Sequence, residues 1–225
     1  MSQFIAIIMV IMVWAMPSEA KNKYKQTMKR QKLKSAQELQ DKGPISEEDA
    51  LLYPLSGVES SYGTDLDHKT MKTGIHAGTA AQGPLGMMPL TFKDVANRVR
   101  LRKEELGLAP DFEGDPEIEQ WARHPNIDEV AFAMREFPDM TQRAARYLER
   151  HLEHRFPGDE NLAKRAFMWN QGHAMKDSKI PSDATIEKHD YTKKFRRESA
   201  RRFKKLEEAA RKAKASDPSS SDSIP

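Results

Sequence analysis

The first patterned stretch of the chain is a run of 13 apolar residues, Phe4 to Met16, closed by Pro17 and followed by Ser18, Glu19 and Ala20. A spanning helix needs roughly 20 apolar residues. The run therefore reads as a secretory signal cut after Ala20, or as an uncleaved anchor, and either form predicts export. Residues 21 to 43 are polar and basic and end at Gly43-Pro44, which predicts a tether. Ser46, followed by Glu47, Glu48 and Asp49, has the form of a helix N-cap with acids in the first turn. The apolar residues behind it predict a helix through Val58 that Pro54 kinks or interrupts, with Glu59 near its end. From Tyr62 to Pro89 apolar periodicity disappears and glycines recur at 63, 74, 78, 83 and 86, which predicts a loop or a small hairpin. Thr91, with Asp94 three residues on, predicts a capped helix through Leu106 that Gly107 ends. Further helices are expected over 116–122, 127–137, 140–155, 159–170 and 185–214. Ser and Pro dominate the last eight residues, a composition expected to be disordered. The sum is an all-α domain over 44–200 with a glycine-rich loop or small hairpin inserted after its first helix. A signal or anchor (1–20) and the basic tether (21–43) precede it, and a basic helical extension with a tail (201–225) follows.

Composition narrows the chemistry. With 225 residues and a hydrophobic fraction of 38%, the chain can build one domain around a modest core. The lack of cysteine excludes disulfides, thiolate metal sites and cysteine nucleophiles. The net charge is only +3, but eleven Lys or Arg against three Glu lie between Lys193 and Lys214. Such a block reads first as a solvated helix face and second as an attractor for an anionic polymer or membrane surface. No stacking platform or binding motif points to nucleic acid. His151 and His154 have helical spacing but no further ligands clustered with them, so a solvated basic face is expected rather than a metal pair.

Three stretches carry the functional expectation: "VESSYG", with Glu59 followed by Ser60; "AAQGPLGMMPLTF", a glycine-rich segment with a Met-Pro step; and "AFMWNQG", a helix end with an aromatic-Asn-x-Gly pattern. A late "HDYTKKF" adds Tyr191. In this order the four resemble the lysozyme-like lytic transglycosylases of the soluble lytic transglycosylase and goose-type lysozyme superfamily. That family pairs a catalytic Glu-Ser with A-x-G-x-x-Q-F-M-P-x-S/T, A-x-x-Y-N-x-G and a late Tyr. Ala81, Gly83, Met88, Pro89 and Thr91 match the second motif in register, and Ala166, Asn170 and Gly172 the third. Gly86 replaces the usual Gln and Trp169 the usual Tyr. The resemblance spans residues 45 to 200 and implies a lysozyme-like fold in a monomer that cleaves the β-1,4 bond between N-acetylmuramic acid and N-acetylglucosamine in peptidoglycan. It implies Glu59 as the catalytic acid and base, with Ser60, Gln82, Gly83, Met87, Met88, Trp169, Asn170 and Tyr191 as candidates for the sugar site; by their own residue types Met87 and Met88 read as core or groove lining, Trp169 as packing or a sugar stack, and Asn170 as a group that fixes the helix end. It implies no cofactor, and action in the periplasm or cell envelope, where the N-terminus could hold the protein to the inner membrane. A hydrolytic muramidase of phage-lysis type and a non-catalytic wall-binding component are the rival expectations. A hydrolytic route would want a second carboxylate, for which Asp65 and Asp67 are nearest in sequence; loop capping is their expected role.

Overall fold

The structure, a computed structural model, describes residues 45–66, 68–108 and 112–215. The expected signal, the tether and the last ten residues lie outside that range, as does Asp67. The described residues form α-helices joined by loops and three single 3-10 turns, with no strand among them. In chain order the helices are α1 (Leu52–Ser60), α2 (Pro89–Leu101), α3 (Pro116–Glu119), α4 (Ile127–Glu136), α5 (Pro138–Arg155), α6 (Leu162–Gln171), α7 (Asp183–Lys188) and α8 (Asp190–Ala215). None of these helices is long and apolar enough to cross a membrane.

Helix α5 is the centre of the packing. Met140, Ala144, Tyr147, Leu148 and Leu152 recur at spacings of three and four, and all are buried. Around them stand α1, α2, α3, α4 and α6. Leu51, Leu52, Leu55, Phe92, Val95, Val99, Ile118 and Met134 complete this core. Truncating a filled position such as Phe92 to Ala would cost about 3–5 kcal/mol. Helix α8 closes the other side against α1, α6 and α7, with Phe195 and Ile186 buried there.

Several boundaries differ from expectation for identifiable reasons. Ser46 caps a turn rather than a helix: its amide donates to Asp49 Oδ2 at 2.9 Å and its hydroxyl accepts from Glu48 N at 3.3 Å. Helix α1 therefore begins at Leu52, and Pro54 falls in its first turn, where the missing amide hydrogen is not needed and no kink results. Helix α2 begins at Pro89 with Met88 as extended N-cap, so Thr91 is already helical. Asp94 bonds Arg98 and His173 instead of completing a capping box. The expected helix over 185–214 is two helices, because His189 is extended (φ −67°, ψ 135°) and its Nδ1 accepts from Tyr191 N at 3.3 Å. Helix α8 runs through residue 200, and Arg202 donates to the carbonyls of Glu47 and Glu48, so the start of the basic extension is fastened to the domain. His151 is buried rather than on a solvated face, with its Nδ1 donating to Glu105 O at 2.8 Å.

Candidate active site

Glu59 is the penultimate residue of α1, and the chain beyond it turns at once. Ser61 and Tyr62 adopt left-handed backbone conformations (φ 50° and 60°) ahead of Gly63 (φ 83°), and Tyr62 N closes the helix by donating to Ser56 O at 3.0 Å. Two successive non-glycine residues in this region carry strain that the surroundings must hold. Tyr62 is the holding point: its ring lies on Gly57, where a Cβ would come within 2.7 Å of Cζ, and packs on Tyr53 at 4.8 Å. Its hydroxyl donates to Glu198 Oε2 on α8 at 2.5 Å, and Lys205 lies over both tyrosine rings. Ser60 ties this corner to the glycine-rich loop. Its hydroxyl accepts from Gly63 N at 2.8 Å and lies 2.7 Å from Pro84 O and 3.0 Å from Ser56 O, to either of which it can donate.

The loop returns to Glu59 as a tight turn. Gln82 and Met87 pair through both backbone bonds (2.9 and 3.1 Å), and Gly83 and Gly86 take positive φ (69° and 58°) between them. This isolated pair is all that forms of the anticipated hairpin. At Gly86 the backbone passes so close that an added Cβ would lie 2.6 Å from Glu59 Oε2. Any side chain at position 86 would press on the Glu59 carboxyl and be strained at this φ. His68 Nε2 donates to Gly83 O at 2.9 Å and pins the turn from the other strand of the loop. Trp169, on α6, donates its indole N–H to Leu85 O at 3.3 Å.

On α8, Tyr191 donates its hydroxyl to Glu59 Oε1 at 2.5 Å. Burial raises the proton affinity of Glu59, while the Tyr191 bond and the charges of His68 and Lys194 act against it; the net shift is upward from an ordinary glutamate. Burial, with the Glu59 charge beside it, holds the Tyr191 phenol well above its ordinary value, so it remains a donor. Glu59 is thus a carboxyl biased toward the protonated form, with Oε2 against a bare glycine. That arrangement can deliver a proton to a leaving group and take one back.

All but one of the residues expected to line the site divide into two groups, with Asn170 outside both. Glu59, Tyr191, Gly83 and, through Leu85, Trp169 meet around the turn; Met88, half-buried, joins the turn to α2. Ser60, Gln82 and Met87 support it from beneath: all three are buried, and Gln82 Nε2 donates to Ala80 O at 2.9 Å. Asn170 is exposed and accepts from Gln171 Nε2. Asp65 is exposed, with its amide donating to Ser60 O. No group of three or more metal-ligating side chains occurs among the described residues. No family model, curated protein or solved structure matches this chain. His68, Tyr62, Lys194 and Glu198 went unnoticed in the sequence. The spacing of Tyr191, Lys194 and Glu198 along one helix face is a signal that could have found two of them.

Proposed function

We propose that the protein is a peptidoglycan lytic transglycosylase of the lysozyme-like type, with Glu59 as its single acid and base. The observation that carries this reading is the environment of Glu59. Burial and the Tyr191 bond leave Glu59 a half-buried carboxyl of raised proton affinity, the property that a lone acid and base needs. Hydrolytic glycosidases commonly need a second carboxylate to act as nucleophile or to activate water. A transglycosylase does not. Protonated Glu59 gives its proton to the glycosidic oxygen as the bond to C1 breaks, and the substrate's N-acetyl group stabilises the cationic sugar. The C6 hydroxyl of the same sugar then attacks C1 while Glu59, now a carboxylate, takes that hydroxyl's proton. The acid is regenerated and the product is a 1,6-anhydro sugar.

The remaining geometry supports the same assignment. A raised proton affinity keeps Glu59 loaded, and the Tyr191 bond fixes the direction of Oε1 and steadies the carboxylate that forms in mid-reaction. Gly86 keeps Oε2 free of any side chain from the turn. Digestion of purified sacculi followed by mass spectrometry tests the reading. Anhydro-muramyl products are expected; reducing ends would replace it with hydrolysis, and an intact sacculus with retained binding would replace it with a non-catalytic wall protein.

A further inference from the structure

The glycine-rich stretch that returns to Glu59 carries cations and no acid. From His68 to Lys93 the chain has no acidic residue, and within this stretch lie Lys69 and Lys72, both exposed. The same stretch supplies the turn that abuts Glu59, to which His68 is bonded through Gly83. From α8, Lys194 stands one turn beyond Tyr191 and so shares its face. Its neighbours Lys193 and Arg196 pair with Asp190 and Glu187, whereas Lys194 is exposed and has no ion pair among the described residues. A cation left beside a catalytic acid works against it, because it favours the ionised form that burial opposes. Such a cation makes chemical sense if something anionic covers it during turnover.

We propose that Lys194, together with the His68 imidazole, forms a rim that seats a carboxylate carried by the substrate beside the scissile bond. The proposal rests on the enzyme reading above and specifies its substrate. In peptidoglycan the anion is borne on the lactyl ether of N-acetylmuramic acid, either as the free lactyl carboxylate or as a carboxylate of the attached peptide. Seating it neutralises the rim and lets Glu59 hold its proton through the first step. The acid is thereby strengthened in its loaded state by the substrate it cleaves.

Soluble glycan strands with their carboxyl groups intact, and the same strands converted to carboxamides, test this with the full chain. Among the described residues, the groups that act on Glu59 are Tyr191, His68 and Lys194. At low salt the wild type is expected to favour the carboxylate form by roughly tenfold in kcat/KM, a preference that salt erodes. H68Q and K194Q should each bring the ratio toward one, and K194E should invert it. A change in the acid's own strength moves both substrates together, so the ratio isolates the rim. The alkaline limb of kcat should also lie higher for the carboxylate form than for the amide. Strands with and without peptide separate the two sources of the anion: a preference confined to peptide-bearing strands assigns the peptide carboxylate, and one retained without peptide assigns the lactyl group. Equal cleavage of carboxylate and amide by the wild type, or a ratio unchanged in K194E, overturns the rim alone. No cleavage of any form by the wild type overturns the enzyme reading; carboxylate-independent binding by E59Q would then overturn the rim as well.

Discussion

Glu59 and Asp94 are both partly buried carboxyls that receive a short hydrogen bond from a ring far along the chain, yet they treat their protons in opposite ways. Tyr191 gives Glu59 a 2.5 Å bond, and His173 Nε2 gives Asp94 one of 2.6 Å. The difference lies in how far the partners offset burial. Asp94 also accepts from the Arg98 guanidinium at 2.8 Å, and together these partners hold its carboxyl far below the usual range. Glu59 is given a neutral phenol, so burial prevails and its proton affinity rises. Full compensation makes a carboxylate into a structural anchor; incomplete compensation leaves one able to move a proton.

The contrast breaks most sharply at Glu59 itself. Glu59→Gln keeps an acceptor for Tyr191 but has no transferable proton, so cleavage of sacculi should fall by roughly 10²- to 10⁴-fold. Stability should move the other way. A carboxyl whose folded pKa lies above its unfolded value destabilises the fold once it ionises: the wild type loses stability as pH rises from about 4.5 through the raised value. The variant avoids that loss, so its advantage over the wild type should be present at neutral pH and absent below about pH 4. Urea melts at the two pH values check this, and an advantage confined to acid would refute the assigned direction.

Gly86→Ala attacks the same carboxyl from the backbone side. The left-handed conformation alone costs a non-glycine residue about 1–2 kcal/mol, and the new Cβ would meet Oε2 at 2.6 Å. Glu59 must shift to relieve the contact, and a tenfold or larger loss of kcat is expected, on the order of 1.4 kcal/mol or more. Gly86→Gln should fail equally, although it would bring the segment closer to the transglycosylase motif it resembles. Recovery of activity in that variant would mean that the turn passes Glu59 differently.

Tyr191→Phe is milder. Losing one hydrogen bond to the ionised form should cost about tenfold in kcat. Because the Tyr191 bond lowers the proton affinity of Glu59, its removal should shift the alkaline limb of the pH profile upward. A limb that stays in place while kcat falls would leave the hydroxyl with a role in substrate contact only.

How much of this was visible in the residues follows from the physics of each element. The all-α character and the positions of α4, α5 and α6 were legible because their apolar spacing agrees with their packing around α5. The starts of α1 and α2 were not, since Ser46 and Thr91 have the chemistry of caps but the chain uses proline in the first turn instead. The motif order singled out Glu59 and Tyr191, and the structure bonds one to the other. The close approach at Gly86 was not legible, because it is a contact with a residue 27 positions away in the sequence. His68 was hidden likewise: its partner is the carbonyl of Gly83, and a carbonyl leaves no mark in a sequence.

The smallest expected effect lies at the other end of the comparison. Asp94→Asn keeps a side-chain oxygen that can accept from His173 and Arg98, and removes only the charge. The Asp94 side chain is 38% exposed, so solvent screens the pairing and the loss should be about 1 kcal/mol rather than what the displaced pKa alone would imply. Its pH dependence has the opposite sign to that of Glu59. A carboxylate with a depressed folded pKa contributes stability that is complete above its unfolded value, 3.8, and is lost as pH falls toward the folded one. The gap between wild type and variant should therefore narrow in denaturation curves taken from about pH 5 down to about pH 2. Asp94 bonds Arg98 and His173, and no hydrogen bond or ion pair joins it to Glu59 or the Gly83–Gly86 turn among the described residues, so kcat should not change. One variant thus loses activity and gains stability at neutral pH, while the other loses a little stability and keeps activity. If Asp94→Asn lowered kcat as well, the two polar clusters would be coupled through α2, and the division between anchor and proton carrier would be wrong.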